Sequence, residues 1–317
     1  MTNAKIHPFT ANDIPSQAGR RVLITGANSG IGYETALELA RRGAEVILPA
    51  RSITKANDAI ARIRSEVPRA VLVPAVLDLA SLSSVREFAA SIAAKFPGRS
   101  LDLLINNAGV MAVPQRELTR DGYERQFATN YLGPFLLTAL LYPQLKLHTG
   151  TRIVTVSSGM ANRGKIEFDN LQSERVYKPM FGTYSQSKLA DLVFQRELQR
   201  RLSAAGSPIL STGSHPGYAI TNLQTSGPGG SFPLGMRILN AIIKPLAAQD
   251  AAHGALPTLY AATSPTVSAG GYYGPNKFQE MKGYPVPAKI APAADDLDIA
   301  KRLWSETEQL IGHPFHV

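Results

Sequence analysis

Short apolar runs alternate along the chain with longer segments in which apolar residues recur every three or four positions. The short runs are typical of strands buried on both faces, and the longer segments are typical of amphipathic helices. The pattern predicts strands at residues 21–24, 45–48, 71–76, 101–105, 152–156, 209–213 and 271–273. It predicts helices at residues 32–42, 54–65, 83–95, 122–141 and 184–202, and a last helix capped by Asp295 or Asp296.

This alternation of strands and helices favours an α/β protein with a doubly wound parallel sheet. We expect a single-domain Rossmann-type fold over residues 19–317, with a seven-stranded sheet and helices on both faces, after an N-terminal arm at 1–18. In such sheets, ligands bind at the carboxyl ends of the strands, where the strand order reverses. Residues that follow the strands are therefore the first candidates for a binding site.

Residues 224–250 depart from this rhythm and open on a run of glycine and proline. On a helix, Arg237, Asn240 and Lys244 would form one narrow polar stripe on an otherwise apolar surface. Two interpretations remain open. The helix packs on the core, or it forms a lid over an apolar ligand.

Composition excludes several classes of protein. The chain has no cysteine, which excludes disulfides, thiolate metal sites and a cysteine nucleophile, and no metal site is predicted. The net charge of +9 is spread over the chain without a dense basic tract, so a nucleic-acid partner is not expected. There is no signal-peptide pattern and no apolar run of the ~18 residues that a membrane span needs, so we expect a soluble cytoplasmic protein.

A glycine-rich loop at residues 25–32 follows the first predicted strand and opens a helix. Glycine permits a tight turn and close approach of a phosphate to the backbone, and the helix N-terminus offers N–H donors. The loop therefore indicates a dinucleotide site. Its candidate cofactor contacts are Gly26, Asn28, Ser29, Gly30, Ile31 and Gly32.

The end of the second strand bears on which dinucleotide binds. An NAD enzyme would place an acidic residue there for the ribose 2′-hydroxyl. This chain instead has Arg51 followed by Ser52, which can bind a 2′-phosphate. The sequence thus favours NADP(H), with NAD(H) as the less favoured alternative.

Tyr184 and Lys188 are four residues apart, so on a helix they share one face. A phenol alone is a poor acid or base at neutral pH, and a neighbouring cation favours its ionised form. The same spacing is common on ordinary helix surfaces. It gains meaning here because the glycine loop and the serines Ser157 and Ser158 lie upstream.

Taken together, these motifs resemble the short-chain dehydrogenase/reductase family from about Gly19 to the C-terminal helix. The matching positions are the glycine loop, Asp78-Leu79, Asn106-Asn107-Ala108-Gly109, Asn130, Ser157-Ser158, Tyr184 to Lys188, and His215-Pro216-Gly217 with Thr221. The resemblance implies that Asp78, with Leu79 beside it, binds the adenine. It also implies that Asn106, Asn107, Ala108 and Gly109 support the cofactor and the central sheet, and that Pro216, Gly217 and Thr221 hold the nicotinamide end of the cofactor.

The catalytic group that the resemblance implies is Asn130, Ser158, Tyr184 and Lys188. Ser158 would polarise a substrate carbonyl, and Tyr184 would give or take the proton on its oxygen. Lys188 would assist the tyrosine and hold the nicotinamide ribose, while Asn130 would hold a water that connects Lys188 to solvent. Ser157 is the rival for the serine role, and the family pattern favours Ser158.

Within the family the chain is most similar to the retinol-dehydrogenase-like branch. The shared features are Asn28-Ser29-Gly30, Ala50-Arg51, residues 164–172 and Arg302-Leu303-Trp304. In this branch the loop at 159–183 and the lid at 224–250 would build the substrate pocket. Ser29 stands where many NADP-preferring relatives have a basic residue, so Arg51 would carry the NADP preference largely alone.

We therefore expect an NADP(H)-dependent oxidoreductase that interconverts a hydroxyl and a carbonyl on an apolar small molecule. The alternative is a nucleotide-binding regulator or scaffold without turnover. The resemblance leaves open whether copies of the chain pair as a homo-oligomer.

Overall fold

The computed structural model describes residues 7–219 and 248–317. Its centre is an eight-stranded sheet with the strand order β3-β2-β1-β4-β5-β6-β7-β8. The strands are β1 (Arg21–Ile24), β2 (Glu45–Ala50), β3 (Val71–Val76), β4 (Leu103–Asn106), β5 (Arg152–Val156), β6 (Leu210–Ser214), β7 (Tyr272–Lys277) and β8 (Lys282–Pro287). Neighbouring strands from β3 to β7 are parallel, and β8 runs antiparallel to β7.

Helices connect the strands. They are α1 (Gly30–Arg41), α2 (Ile53–Glu66), α3 (Leu82–Lys95), α4 (Gly133–Leu141), α5 (Ser185–Ala204), α6 (Ala251–Thr263) and α7 (Leu297–Ile311). A helical turn (Arg125–Phe127) and a π-helical turn (Ala128–Leu132) precede α4, and a second π-helical turn (Pro179–Tyr184) precedes α5. Single 3-10 turns occur at Ala11–Asp13, Tyr142–Gln144, Gly159–Arg163 and Pro292–Ala294.

The sheet separates two hydrophobic cores because successive side chains of a strand point to opposite faces. Val22 and Ile24 belong to the core formed with α1, α2 and α6. Leu23, between them, belongs to the core formed with α3, α4, α5 and α7. Both faces of β1 are therefore covered, which confirms the predicted doubly wound sheet with helices on both sides.

The predicted count of seven strands is wrong by one. The missed strand, β8, contains Pro285 and Pro287, and proline is a poor signal for a strand because it lacks the N–H donor. An edge strand tolerates this because one side needs no partner. The predicted helix at 122–141 is also divided, since it begins at Arg125 and passes through a π-helical turn.

Part of the predicted N-terminal arm packs on the folded body. Ile14 is buried in the core of α1, α2 and α6, and the ring of Phe9 meets Tyr260 edge-on at 5.1 Å. Residues 224–247 of the predicted lid and Thr221 lie outside the described residues, so the lid remains a prediction. In the two described ranges, no helix has the length and apolarity needed to cross a bilayer.

Phe135 lies at the centre of an aromatic cluster that joins α4, α5 and α7. It is fully buried, and its ring lies 4.9 Å from Trp304, 5.0 Å from Phe194 and 5.7 Å from Phe315. The C-terminal helix is thus held to the sheet-covering helices by ring packing.

Replacing Phe135 with alanine should lower the free energy of unfolding by about 3–5 kcal/mol, because the cluster would keep a cavity. Urea denaturation followed by circular dichroism measures this change. Phe181→Ala is the matched control, since that ring is 55% exposed and its loss should cost less than about 0.5 kcal/mol. Equal losses in the two variants would contradict the central role of Phe135.

Candidate active site

The strand order reverses between β1 and β4, and the loops after these two strands are tied together. The Thr25 Oγ1 accepts the backbone N–H groups of Asn107 and Ala108, each at 3.0 Å. The Asn107 side chain donates in return to the Thr25 carbonyl at 2.9 Å. This contact fixes the glycine loop against the Asn-Ala-Gly loop at the carboxyl edge of the sheet.

The glycine loop needs its glycines for space and for backbone conformation. Gly26 has a positive φ of 69°, in the left-handed region that glycine favours. A Cβ on Gly32 would overlap the Gly26 carbonyl and the Asn107 amide. Ser29, the residue before α1, makes no side-chain capping hydrogen bond, so the first N–H groups of α1 stay available to an anion.

A cleft of about 890 Å³ runs along this edge of the sheet. Its size suits a small-molecule or cofactor site. Fifteen of the predicted site residues line it: Gly26, Asn28, Ser29, Gly30, Ile31, Gly32, Arg51, Asp78, Leu79, Asn107, Ala108, Gly109, Tyr184, Lys188 and Pro216. The sequence motifs lie up to 190 positions apart, from Gly26 to Pro216, and therefore converge on one cleft only in the folded protein.

Other predicted residues lie beside the cleft rather than in its wall. Ser52 caps α2 by accepting the Lys55 N–H at 3.4 Å. Gly217 has a positive φ of 64° and packs against Met281 in the turn between β7 and β8, so a side chain there would collide with the Met281 carbonyl. Ser52 and Gly217 therefore each have a structural role, and neither contact prevents the residue from also binding a cofactor.

Lys188 is buried at the inner end of the cleft. Its ammonium donates to the Val156 carbonyl at 3.0 Å and to the Asp191 carboxylate at 2.9 Å. Burial lowers the pKa of Lys188, but the charge of Asp191, the Tyr184 phenol and the Asp191 hydrogen bond outweigh it and raise the pKa above its usual value. The lysine thus keeps its positive charge inside the protein.

Tyr184 lies at the junction of the π-helical turn and α5, where its backbone is already helical. The predicted shared face of Tyr184 and Lys188 is therefore present, and both side chains line the cleft although each is about 95% buried. The Tyr184 phenol is close enough to act electrostatically on the Lys188 ammonium.

The two serines after β5 have different partners. The Ser157 hydroxyl donates to the Lys188 carbonyl at 2.6 Å and so serves the backbone of α5. The Ser158 hydroxyl accepts the Met160 N–H at 3.2 Å, a contact that leaves its own hydrogen free to donate. This difference supports Ser158 as the residue that can donate, although Ser157 and not Ser158 is part of the cleft wall.

Asn130 lies in the π-helical turn before α4 and links the loop after β4 to helix α5. Its oxygen accepts the Val110 N–H at 2.7 Å, and its amide donates to the Val110 carbonyl at 3.0 Å and to the Ser187 hydroxyl at 2.9 Å. Both amide hydrogens are used by the protein. The predicted water-holding role of Asn130 therefore stays a prediction, while its positioning of the residue next to Lys188 is visible.

Among the cleft-lining residues that sequence reasoning missed are Lys55, Arg120 and Thr129. Lys55 is four positions after Arg51, a spacing that could have drawn attention to it. Arg120 lies in a tight turn anchored by Asp121, whose carboxylate accepts the Leu82 N–H at 2.8 Å, and no local signal predicts this placement. Thr129 has a buried hydroxyl without a partner among the described residues.

A second depression, of about 530 Å³, lies elsewhere, along residues 165–170 and 175–176 and beside Arg302. None of the predicted site residues lines it. Among the described residues there is also no cluster of histidine, aspartate or glutamate that could hold a metal ion. The larger cleft is therefore the candidate active site.

A doubly wound sheet with a glycine loop and a tyrosine–lysine pair in one cleft defines a dinucleotide-dependent oxidoreductase. The family model described as short chain dehydrogenase matches residues 20–228, and the chain belongs to this family. It is an NAD(P)-dependent oxidoreductase that acts on CH–OH or C=O groups. Retinol dehydrogenase 14 of Homo sapiens is 40% identical over 309 residues, covering 93% of this chain and 87% of that protein.

Other comparisons agree with this assignment. Retinol dehydrogenase 13 of Homo sapiens is 41% identical, covering 96% of this chain and 88% of that protein. The crystal structure of an uncharacterized protein from Mycobacterium paratuberculosis is 40% identical, with a TM-score of 0.80 over 98% of this chain and all of that one. These relatives confirm the predicted resemblance to the retinol-dehydrogenase-like branch.

Replacing Gly32 with alanine should abolish dinucleotide binding, because the added Cβ would displace the Gly26 carbonyl or the Asn107 amide. Fluorescence titration with NADPH measures the affinity. Gly206→Ala is the control. Gly206 has a φ of 65°, so alanine there is strained at a cost of about 1 kcal/mol. Because Gly206 lies in the turn after α5 and not in the cleft wall, this variant should still bind NADPH. Binding by the Gly32 variant at wild-type affinity would refute the requirement for glycine.

Proposed function

We propose that the protein is an NADP(H)-dependent oxidoreductase that interconverts a hydroxyl and a carbonyl group on an apolar small molecule. One observation carries the proposal: Arg51 and the Tyr184–Lys188 pair line the same cleft, with the glycine loop in its wall. The arginine would select the cofactor, and the tyrosine and lysine would act on the substrate oxygen.

The cleft fits a dinucleotide. Gly26 and Gly32 leave backbone room for a pyrophosphate, and the open N-terminus of α1 adds N–H donors. Asp78 would bind the adenine; its carboxylate oxygen Oδ1 already accepts the Ala80 N–H at 3.0 Å, which orients the side chain. The Thr129 hydroxyl, buried and without a partner among the described residues, offers a further polar contact.

Cations that are free to bind phosphate support NADP(H) over NAD(H). The side chains of Arg51, Lys55 and Arg120 line the cleft, and none of them forms a salt bridge or hydrogen bond with another described residue. The strand β2 ends without an acidic residue that would repel a 2′-phosphate. We propose that Lys55 and Arg120 share the role that the sequence assigned to Arg51 largely alone.

Replacing Arg51 with aspartate should weaken NADPH binding by tenfold to about 150-fold, because a charge-assisted contact worth about 1.5–3 kcal/mol is lost. NADH affinity should change by less than about threefold. Titration with each cofactor measures both values.

Arg69→Asp is the control for the same change in net charge. Arg69 lies just before β3, at the amino ends of the strands, whereas the cleft lies at their carboxyl ends. An equal loss for NADPH and NADH in the Arg51 variant would make this arginine a structural residue.

Ser158, beside the cleft, and Tyr184 and Lys188, in its wall, would divide the proton chemistry between them. Ser158 would donate a hydrogen bond to the substrate oxygen, and Tyr184 would give that oxygen a proton or take one from it. The Lys188 ammonium would stabilise negative charge on the phenol oxygen. When bound, the nicotinamide supplies or accepts the hydride.

Replacing Tyr184 with phenylalanine should lower kcat by about 10²–10⁴-fold, because the substrate oxygen loses its proton partner. NADPH affinity should stay within about threefold of wild type, since the ring remains. Steady-state kinetics and fluorescence titration separate the two effects.

Tyr142→Phe, in the 3-10 turn after α4, should leave both kcat and affinity unchanged. Wild-type turnover by the Tyr184 variant would remove this tyrosine from the mechanism.

The names of the relatives guide the choice of substrate. Besides the retinol dehydrogenases, a polyprenol dehydrogenase of Mus musculus is 37% identical over 94% of this chain. Both names denote long isoprenoid alcohols, which agrees with the apolar pattern of residues 231–244. A screen of isoprenoid alcohols and aldehydes with NADP⁺ or NADPH, read as cofactor absorbance, tests the proposal. Turnover only with charged or sugar substrates would contradict it.

A further inference from the structure

Asp191 is a buried acid at the inner end of the site. It lies on α5, one turn after Lys188, and its carboxylate is 2.9 Å from the lysine ammonium. Only 3% of the Asp191 side chain and 6% of the Lys188 side chain are exposed. Two charges are thus paired inside the protein, where each would be costly alone.

Another acid on the same helix behaves differently. Glu197 pairs with Arg200 at 2.8 Å and with Arg201 at 2.9 Å, and these arginines are 31% and 35% exposed. Water can replace those contacts because the cations reach solvent. Asp191 has no such substitute, so the charge of Lys188 depends on it far more strongly.

The hydrogen bonds of Lys188 show how Asp191 could orient the lysine ammonium towards a ligand in the cleft. An ammonium group has three N–H donors. Asp191 takes one of them and the Val156 carbonyl takes another. The third N–H remains for the cleft that Lys188 lines. With two donors fixed on the protein side, the direction of the third is fixed as well.

We propose that Asp191 is a positioning residue, the counter-ion that keeps Lys188 charged and directs its free N–H towards the nicotinamide ribose of the bound cofactor. This inference rests on the proposed function, because it assumes that Lys188 holds that ribose. Asp191 is not part of the cleft wall, so it would touch neither cofactor nor substrate.

Lys188 is the charge partner of Asp191, because the other titratable groups that face Asp191 are neutral tyrosines. Tyr131 faces it from the π-helical turn before α4, Tyr272 from β7, and Tyr184 lies at the start of α5. Burial raises the pKa values of Tyr131 and Tyr272, so both phenols stay neutral. Burial also raises the pKa of Asp191 to about 6, against the opposing effect of Lys188. Its negative charge is therefore present above about pH 6 and lost below it.

The test compares NADPH affinity of the wild type and the isosteric variant Asp191→Asn across pH. Near pH ~5.5, Asp191 is mostly protonated, so the two proteins should bind NADPH within about twofold of each other. Near pH ~9, the variant should bind at least about tenfold more weakly, because a buried lysine without a counter-ion loses its proton. Fluorescence titration measures the affinities.

Two further variants make the outcome decisive. Asp191→Ala should show the same pH dependence as Asp191→Asn, since both remove the charge, and Glu197→Gln should follow the wild type at every pH. Thermal unfolding of each variant shows whether it is folded. A loss of affinity that is the same at all pH values, or no loss at all, would overturn the counter-ion role. Failure of the wild type itself to bind NADPH would overturn the proposed cofactor as well.

Discussion

The site depends on the joining of two loops at the centre of the sheet. Thr25, after β1, accepts two backbone N–H groups from the loop after β4, and Asn107 donates back to Thr25. Because parallel strands all end at one edge, this contact places the glycine loop beside the Asn-Ala-Gly loop. The same crowding explains why a side chain cannot be added at Gly32. The cleft follows from this junction.

Charge burial is the second constraint on the site. The proposed mechanism calls for a cation beside the phenol, yet burial disfavours a cation. The protein meets both conditions by pairing Lys188 with Asp191 and the Val156 carbonyl. The lysine therefore belongs to a buried network rather than to an exposed helix face. Its chemistry is set by α5 and β5 together.

The antiparallel hairpin of β7 and β8 contacts the loop after β6, which contributes Pro216 to the cleft wall. The Tyr218 N–H donates to the Met281 carbonyl at 2.7 Å, and the buried His215 contacts Glu280 at 3.1 Å. The hairpin thus positions the loop that follows β6 and leads to residues 220–247. In the proposed function, substrate selection would depend on this loop and on residues 159–183, while the proton chemistry would depend on the sheet edge and α5.

The sequence alone was enough to predict the doubly wound sheet, the glycine loop and the Tyr184–Lys188 pair, because each is encoded by local periodicity or spacing. It could not predict β8, whose prolines suit only an edge strand, or the entry of Arg120 into the cleft, which depends on Asp121 binding the start of α3. Asp191 is three positions after Lys188, so helical spacing alone places the two side chains on one face. Only the burial of both side chains shows that Asp191 is the counter-ion on which the charge of Lys188 depends. Local patterns determine elements and motifs, whereas desolvation and long-range contacts are decided when the chain packs.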